Sequence, residues 1–373
     1  MSILSACGGS LFAQDVPTIT VSKGDKINLT VSPIGGSEGA VLTKTLQNDL
    51  TLSGYFILSS NTAYTARGTA SGGSLQGQVV DRSGGTVLSK SYSGSAREDA
   101  HRFADDIVET LTGNKGLANS KIAFIATRSG KKEVYVADYD GSNARQMTHD
   151  GVISVHPAIG PDGRRVAYTG YQSGYPDVYV IDLGSGARNR IVNFPGTNSG
   201  ASFSPDGNRI ALSVSKDGNP ELYTVSASGG SARRLTHTRG VESAPSWSPS
   251  GDEIVYSFDD GHGPQLYRIS AGGGNGQPIA TGHGYCTEPN WSPDGKKIAF
   301  NVRSGGGFEI AIVDLNGGGT RVVSAGENPV WGADSRHIIF IEGGTLYMLD
   351  TVTSRKNKIL DSPGKITEPS WSR

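Results

Sequence analysis

The sequence repeats a five-residue motif, Phe203-Ser204-Pro205-Asp206-Gly207, at nearly constant intervals. Strong copies are Trp247-Ser248-Pro249-Ser250-Gly251 and Trp291-Ser292-Pro293-Asp294-Gly295, and a more divergent copy is Ile159-Gly160-Pro161-Asp162-Gly163. The first residue of the motif falls at positions 159, 203, 247, 291, 331 and 371, which gives spacings of 44, 44, 44, 40 and 40. Asp and Gly in such a motif favour a tight turn between strands. The motif therefore predicts six related β units.

Each turn motif is followed by three further strand-like elements. An apolar stretch comes first, as in Val166-Ala167-Tyr168, and an alternating stretch comes next, as in Val178-Tyr179-Val180-Ile181-Asp182. A short last element follows, as in Arg233-Arg234-Leu235-Thr236. Four short strands in about 40 to 45 residues are typical of one blade of a β-propeller. Stacked helical repeats of this period would instead need an apolar stripe with about 3.6-residue spacing.

The two ends of the propeller sequence complete one blade. The first unit begins at Lys121 with its second strand, and the chain ends on Thr367-Glu368-Pro369-Ser370-Trp371-Ser372, an extra copy of the first strand. We expect these two segments to pair, because such a closure leaves no open sheet edge at the seam. The sequence thus predicts an all-β six-bladed β-propeller at residues 120–373, closed by the C-terminal strand.

Four tryptophans occupy equivalent places in the repeat: Trp247, Trp291, Trp331 and Trp371. A residue that recurs in successive units serves the repeat itself, so we expect these rings to fill the space between neighbouring blades. Stacking on a ligand is the alternative role for the same rings.

Residues 27–119 lack the repeat and predict a small α/β domain with a linker to the propeller. Strands are predicted at residues 27–31, 55–58, 75–80 and 86–92, and a first helix at 40–52. Ser95 and Glu98 form a capping box for a second helix, which carries an apolar stripe and ends at Gly113. The fold class is therefore a small α/β N-terminal domain followed by the propeller.

Composition excludes two classes of protein. The chain has 373 residues and a formal net charge of -1, so no excess of positive charge favours nucleic acid. No stretch approaches the roughly 20 apolar residues of a membrane-spanning helix. The 53 glycines fit a fold with many tight turns, and the two cysteines, Cys7 and Cys286, exclude a disulfide framework.

Residues 1–14 resemble a leader segment, and three interpretations stay open. Leu4-Ser5-Ala6-Cys7 resembles a bacterial lipobox, which would place a lipid anchor on Cys7. Leu11-Phe12-Ala13 alternatively forms a small-residue cleavage site, so that the mature chain starts near Gln14. A tail with an incidental cysteine is the third.

Several segments together resemble the TolB family of the Tol-Pal cell-envelope system. They are Asp49-Leu50, Ser53-Gly54-Tyr55-Phe56, the linker Leu111-Thr112-Gly113-Asn114-Lys115-Gly116, and the blades closed by a C-terminal Trp. The resemblance implies a monomeric, non-enzymatic periplasmic scaffold without a cofactor, which supports outer-membrane integrity and envelope constriction in cell division. It also implies two partners, the peptidoglycan-associated lipoprotein (Pal) and TolA.

The resemblance assigns each partner its own part of this chain. Pal is expected at the propeller mouth, on the loops that lead into each first strand: His156, Thr197, Asn198, Ser199, Glu242, Ser243, Tyr285, Thr287, Glu288 and Glu368. TolA is expected on a flexible peptide at residues 15–26, through Asp15, Val16, Ile19, Val21, Lys23 and Asp25. One departure concerns Ser59 to Ser74, which is shorter than the family pattern and lacks an evident strand. The sequence therefore predicts a trimmed N-terminal fold.

Three features could indicate other chemistry. Gly35-Gly36-Ser37-Glu38-Gly39 fits the nucleophile elbow of serine hydrolases, but we interpret Ser37 as a helix N-cap. His149 and His237 lie 88 residues apart, twice the repeat, so they belong to separate blades and cannot share one metal ion. A TolB-like propeller that binds an unknown ligand or acts as a metal-dependent polysaccharide lyase remains the alternative. Cys286 is expected to be a buried small side chain.

Overall fold

The structure is a computed structural model that describes residues 26–60, 62–361 and 364–372. It contains a small N-terminal α/β domain and a six-bladed β-propeller. The predicted leader at residues 1–14, with Cys7, lies outside the described residues. The same holds for the predicted TolA-binding residues, which all precede residue 26.

The N-terminal domain is one five-stranded sheet with two helices. Its elements in chain order are β1 (Ile27–Val31), α1 (Gly39–Leu52), β2 (Phe56–Leu58), β3 (Tyr64–Ser71), β4 (Ser74–Asp81), β5 (Thr86–Ser93) and α2 (Ala96–Thr112). The strand order is β2-β1-β3-β4-β5, with β1 parallel to both of its neighbours. The apolar faces of α1 and α2 pack in one core with the sheet. Within the described residues, neither helix is long and apolar enough to cross a membrane.

Both ends of α2 are confirmed as predicted. The Ser95 hydroxyl accepts a hydrogen bond from the Glu98 backbone N–H, and the Glu98 carboxylate accepts one from the Ser95 N–H. Gly113 ends the helix in the left-handed conformation, with a φ of 71°. These caps satisfy backbone groups that a helix end would otherwise leave unpaired.

The predicted N-cap at Ser37 is wrong. The N-cap of α1 is Glu38, without a side-chain cap hydrogen bond, and Ser37 is exposed. Tertiary packing explains the difference, because a Cβ on Gly36 would lie 2.0 Å from the Ala70 carbonyl oxygen of β3. The glycines of this segment therefore serve a close backbone approach and not a nucleophile elbow.

The prediction of a trimmed N-terminal fold is also wrong. Strand β3 fills the segment between Ser59 and Ser74 and pairs along its whole length with β4. Gly72 and Gly73 form the turn of this hairpin with positive φ values of 59° and 73°, as a two-residue type I′ turn requires.

The propeller begins with three strands of one blade, β6 (Lys121–Ala126), β7 (Glu133–Asp138) and β8 (Arg145–Gln146). Blade 1 contains β9 (Ser154–Ile159), β10 (Arg165–Gly170), β11 (Asp177–Asp182) and β12 (Arg188–Val192). Blade 2 contains β13 (Asn198–Phe203), β14 (Arg209–Val214), β15 (Glu221–Ser226) and β16 (Arg233–Arg234). Blade 3 contains β17 (Val241–Trp247), β18 (Glu253–Asp259), β19 (Gln265–Ser270) and β20 (Gln277–Pro278).

Blade 4 contains β21 (Cys286–Trp291), β22 (Lys297–Ser304), β23 (Gly307–Asp314) and β24 (Gly319–Ala325). Blade 5 contains β25 (Glu327–Trp331), β26 (His337–Glu342), β27 (Thr345–Asp350) and β28 (Lys356–Leu360). The last strand, β29 (Ile366–Trp371), joins β6, β7 and β8 in the closing blade. Each blade is antiparallel. The innermost strand comes first in blades 1 to 5, and in the closing blade it is β29.

The predicted closure by the C-terminal strand is confirmed. β29 pairs antiparallel with β6, with Ile366 opposite Ala126 and Trp371 opposite Ile122. The Ser372 hydroxyl extends the seam by accepting a hydrogen bond from the Lys121 N–H at 2.9 Å. The ring is therefore closed by main-chain bonds between segments about 250 positions apart in the chain.

The tryptophans are buried between blades, as predicted. Trp331 has no exposed surface and packs with Ala299 and Ile312 of blade 4 and Ile338 of blade 5. The Trp247 indole N–H donates to the Ser202 carbonyl oxygen of the preceding blade at 3.0 Å. The buried Trp331 indole N–H has no such partner among the described residues. Burial of the large rings therefore holds successive sheets together.

The N-terminal domain packs against one end of the ring. The Tyr139 hydroxyl of the closing blade donates to Asp49 at 2.9 Å, and the Arg336 guanidinium of blade 5 donates to the Gly54 carbonyl oxygen at 3.3 Å. Both propeller residues lie at the end where the inner strands finish. The opposite end, where the inner strands begin, carries no contact with the described part of the N-terminal domain.

Candidate functional site

A ring of six residues in the left-handed conformation surrounds one mouth of the propeller channel. Their φ values lie between 50° and 67°, and we call them the mouth ring: His156, Gly200, Ala244, Glu288, Asn328 and Glu368. They recur with spacings of 44, 44, 44, 40 and 40, three positions before the motif residue. A positive φ is uncommon in residues other than glycine, and such residues cluster at functional sites. The backbone geometry therefore indicates that this mouth is the candidate functional site.

A β-bulge in every inner strand produces the mouth ring. The register between the inner strand and its neighbour shifts at this place in all six blades. A proline follows the ring residue in five blades, at positions 157, 245, 289, 329 and 369. Proline has no N–H to leave unpaired, which suits a bulge on an edge strand.

The mouth ring opens into a cavity of about 270 Å³. Ring residues line its rim, and small polar side chains, such as Ser202, Ser246 and Ser370, line its wall. A second space of about 70 Å³ continues along the channel towards the Trp residues at the far ends of the inner strands. The mouth is therefore wide and lined by both polar side chains and prolines, and the channel narrows below it.

Several wall side chains hold neighbouring blades together. The Ser246 hydroxyl accepts a hydrogen bond from the Trp291 N–H at 3.1 Å, and the Asn290 amide oxygen accepts one from the Trp331 N–H at 2.9 Å. The Ser370 hydroxyl accepts from the Ile159 N–H at 3.0 Å. Because these acceptors are already engaged across blades, the wall serves the ring's structure more than ligand recognition.

The mouth is acidic. Burial raises the pKa of Glu288, His156 opposes that rise, and the nearby carboxylates of Glu368 and Glu327 add to it. Glu368 accepts a hydrogen bond from the His156 backbone N–H and lies 3.6 Å from the Lys132 ammonium. Three carboxylates thus face one lysine and one histidine, so the mouth favours donors and positive charge on a partner.

The structure brings half of the predicted Pal-binding residues into the mouth cavity. These are His156, Ser199, Ser243, Glu288 and Glu368. Thr197 is exposed, and Tyr285 and Thr287 are half-buried on the same loops. The other two, Asn198 and Glu242, have no exposed surface. A partner can therefore contact eight of the ten directly.

The two buried residues shape the loops. The Asn198 amide donates to the carbonyl oxygens of Pro176 and Phe194 at 3.1 and 2.7 Å. Glu242 accepts a hydrogen bond from the Thr238 hydroxyl at 2.7 Å, and burial raises its pKa to about 7. These side chains set the path of the chain towards the mouth.

Sequence reasoning missed the mouth-ring members Gly200, Ala244 and Asn328. The repeat itself could have identified them, because counting 44 residues back and 40 residues forward from Glu288 leads to Ala244 and Asn328. Polar side chains were chosen for their chemistry, while the ring is defined by backbone conformation.

The residues weighed for other chemistry do not form a catalytic group at the mouth. His149 and His237 are both exposed, on separate blades. Cys286 is fully buried, its sulfur lies 3.2 Å from the Thr281 hydroxyl oxygen, and burial raises the pKa of its thiol. Among the described residues, one group of histidine and carboxylate ligands is close enough to hold a metal, and it lies at the domain junction.

A family model described as the TolB beta propeller domain matches residues 108–373. The Tol-Pal system protein TolB of Geobacter sulfurreducens is 32% identical over 201 residues, which are 43% of this chain and 46% of that protein. The protein TolB homolog of Chlorobium chlorochromatii is 40% identical over 131 residues, which are 33% of this chain and 30% of that protein. The matched segments thus span less than half the length of these relatives.

Solved structures extend the likeness to both domains. TolB from Acinetobacter baumannii superposes with a TM-score of 0.83 and 25% identity, covering 93% of this chain and 97% of that one. A propeller chain of the nidogen/laminin complex superposes with a TM-score of 0.58 and 11% identity, over 68% of this chain and 98% of that one. The second likeness concerns the fold alone.

Proposed function

Because the chain belongs to the TolB β-propeller family, we propose that it is a non-enzymatic, monomeric scaffold of the Tol-Pal system in the periplasm. In this proposal the propeller mouth binds Pal, and the peptide at residues 15–26 binds TolA. The complex would support outer-membrane integrity and envelope constriction in cell division. Relatives named as Tol-Pal system proteins support this assignment.

The observation that carries the proposal is the acidic mouth ring. Its six backbones have fixed left-handed conformations, so the polar groups of the rim are arranged before a partner arrives. Preorganised groups lose little entropy on binding. The mouth also faces away from the described part of the N-terminal domain, so a partner at the mouth would leave that part uncovered.

An aromatic patch beside the ring supplies apolar contact area. Tyr285 lies 6.2 Å from the Phe308 ring, centroid to centroid, and the Arg303 guanidinium lies 5.7 Å from the Tyr285 ring. Tyrosine and arginine often dominate binding energies at interfaces. We therefore expect Tyr285 and the two ring carboxylates, Glu288 and Glu368, to contribute most to Pal affinity.

Calorimetric titration with the soluble domain of the same organism's Pal tests the mouth. We expect saturable binding at micromolar concentration or tighter, weakened at least about tenfold by Glu288→Gln with Glu368→Gln, a loss of about 1.4 kcal/mol. Asp252→Asn with Glu253→Gln removes two carboxylates from the opposite end and is the matched control. Equal affinity of the two double variants, or no heat at two temperatures, would contradict the proposal.

The TolA assignment needs a separate test. A chain that lacks residues 1–25 should lose binding to the soluble domain of TolA and keep its affinity for Pal. Loss of both interactions would show that the two sites are not separate.

A further inference from the structure

A buried histidine at the domain junction has one ring nitrogen without a partner. His101 lies on α2, and its side chain is 4% exposed. Its Nδ1 lies 2.7 Å from an Asp49 carboxylate oxygen, while its Nε2 is buried and makes no hydrogen bond. An unsatisfied buried polar atom is costly, and such an atom in a native protein calls for an explanation.

Two carboxylates of the closing blade complete a group around this histidine. Asp138 ends β7 and Asp140 follows it by two positions. One ring nitrogen of His101 and one oxygen of each carboxylate lie within 4.8 Å of one another. Because Asp49 engages Nδ1, Nε2 is the nitrogen that remains for these carboxylates.

We propose that His101, Asp138 and Asp140 bind a divalent transition-metal ion, with zinc as the first candidate. One imidazole and two carboxylates form a ligand set that Zn²⁺ accepts, with water in the fourth position. The Asp49 carboxylate accepts the Nδ1 proton of His101, which leaves the Nε2 lone pair for the metal. A carboxylate behind a metal-binding histidine is the usual outer partner of such sites.

Local charge is compatible with an added cation. Lys121 lies 3.0 Å from Asp138, and Arg97 lies 2.6 Å from Asp140. The carboxylates of Asp49, Asp138 and Asp140 outnumber these two cations by one, and a metal ion at Nε2 would replace the proton that these carboxylates favour on His101. Asp138 Oδ2 and Asp140 Oδ1 each already accept two hydrogen bonds, from Ser142 and Asn143 and from Ser142 alone. Asp138 Oδ1 and Asp140 Oδ2 each accept one, so each keeps a lone pair for an ion.

An adjoining cavity reaches Asp138, one of the two carboxylates of the group. It has a volume of about 190 Å³ and is lined in part by Arg97, Lys121 and Asp138. An ion could enter here and retain a bound water molecule.

The metal would tie the two domains together. His101 belongs to the N-terminal domain, and both carboxylates belong to the closing blade. The site would thus fix the orientation of the N-terminal domain on the propeller. This role is independent of Pal or TolA binding.

Calorimetric titration of the untagged full chain with zinc chloride tests the proposal. We expect one zinc ion per chain, lost in His101→Gln and weakened at least about tenfold in Asp140→Asn and in Asp49→Asn. The control is His237→Gln, which removes an exposed histidine and should retain the parent's stoichiometry and affinity. Asp140→Asn preserves side-chain shape and decides the matter if His101→Gln fails to fold.

X-ray absorption of the zinc-loaded chain should show nitrogen or oxygen ligands at about 2.0 to 2.2 Å. The proposal is overturned if zinc does not bind saturably at micromolar concentration, because the group then holds no more than a proton at Nε2. It is equally overturned if His101→Gln and Asp140→Asn bind zinc as the parent does.

Discussion

The two ends of the propeller use the same types of side chain in opposite ways. At the mouth, Glu288 and Glu368 face other carboxylates and have few cationic partners. At the opposite end, Asp350 is buried beneath the N-terminal domain and lies 2.6 Å from the Arg336 guanidinium. The ion-paired Asp350 helps to hold the N-terminal domain in place, whereas Glu288 and Glu368 remain available to a partner.

The pKa shifts express the same difference. Burial, supported by neighbouring carboxylates, raises the pKa of Glu288 at the mouth. Burial would also raise the pKa of Asp350, but its hydrogen bonds from Arg336 and Thr353 hold that pKa well below its usual range. Asp334 shows the same behaviour, because the His337 ring at 2.6 Å outweighs its burial.

The largest effect is expected from removing β29, the C-terminal strand that runs from the mouth to the opposite end and closes the ring. Deleting residues 368–373 takes away most of β29, including Trp371, which is 4% exposed. We expect a loss of more than about 4 kcal/mol in the free energy of unfolding, which leaves no cooperative native state. Urea denaturation should therefore show no cooperative transition in the truncated chain. Ser370→Ala, which removes one hydrogen bond, should lose only about 1 kcal/mol of unfolding free energy in the same measurement. An unchanged melting temperature in the truncated chain would contradict the closure.

A smaller effect is expected from breaking the buried ion pair at the N-terminal domain. Arg336→Ala leaves the Asp350 carboxylate, 4% exposed, without its cation and also removes a guanidinium 4.3 Å from the Tyr55 ring. We expect a loss of about 3 kcal/mol in unfolding free energy. Arg268→Ala breaks an exposed 3.8 Å pair with Glu253 and is the matched control, with an expected loss below about 0.5 kcal/mol. Equal losses would show that docking of the N-terminal domain adds nothing to the pair.

The pH dependence of stability sharpens the comparison at the mouth end. Burial raises the pKa of Glu242 from 4.5 to about 7, while Thr238 and Arg234 oppose the rise and Glu221 adds to it. Between these pH values the folded state binds more protons than the unfolded state, so stability falls as pH rises. When the pH rises from 4.5 to 7.5, the unfolding free energy of Glu242→Gln should therefore increase relative to that of the parent by on the order of 2 kcal/mol. Urea denaturation at both pH values measures it, and a pH-independent difference would contradict the assignment.

The smallest effect concerns the strained backbone of the mouth ring. Gly200 is the ring member without a side chain, and a Cβ there would meet its nearest neighbour at 3.8 Å. The methyl group of Gly200→Ala therefore fits without a clash. The variant should lose only about 1 kcal/mol of unfolding free energy, because alanine disfavours the left-handed conformation. Ala244→Gly is the reciprocal variant and should be neutral or slightly stabilising by thermal denaturation. A destabilising Ala244→Gly together with a harmless Gly200→Ala would contradict the strain argument.

Local chemistry explains what the sequence could predict. The turn motif and the alternation of apolar residues act within one blade, so blade number and ring closure could be counted from the repeat. The capping box of α2 is equally local. By contrast, Ser37 failed as an N-cap because Gly36 packs on Ala70, a contact that only the folded sheet creates.

The candidate sites were harder to predict from the sequence because they depend on contacts between distant segments. Glu242 and Asn198 look like surface residues in the sequence, but loop packing buries both. The junction group joins His101 to Asp49 and to Asp138, residues 52 and 37 positions away. Packing of α1 on α2 brings Asp49 to His101, and docking of the domains brings Asp138 to it, so neither local spacing nor the blade repeat reveals the group.

The central claim is that one end of the propeller binds a partner while the other supports the N-terminal domain. Hydrogen–deuterium exchange of the chain, with and without the soluble domain of Pal, tests it most directly. We expect new protection in the segments that lead into the inner strands, around residues 197–200, 241–244, 285–288 and 366–368. Helices α1 and α2 should exchange as before. Protection confined to those helices, or to the turn motifs at the opposite end, would contradict the account.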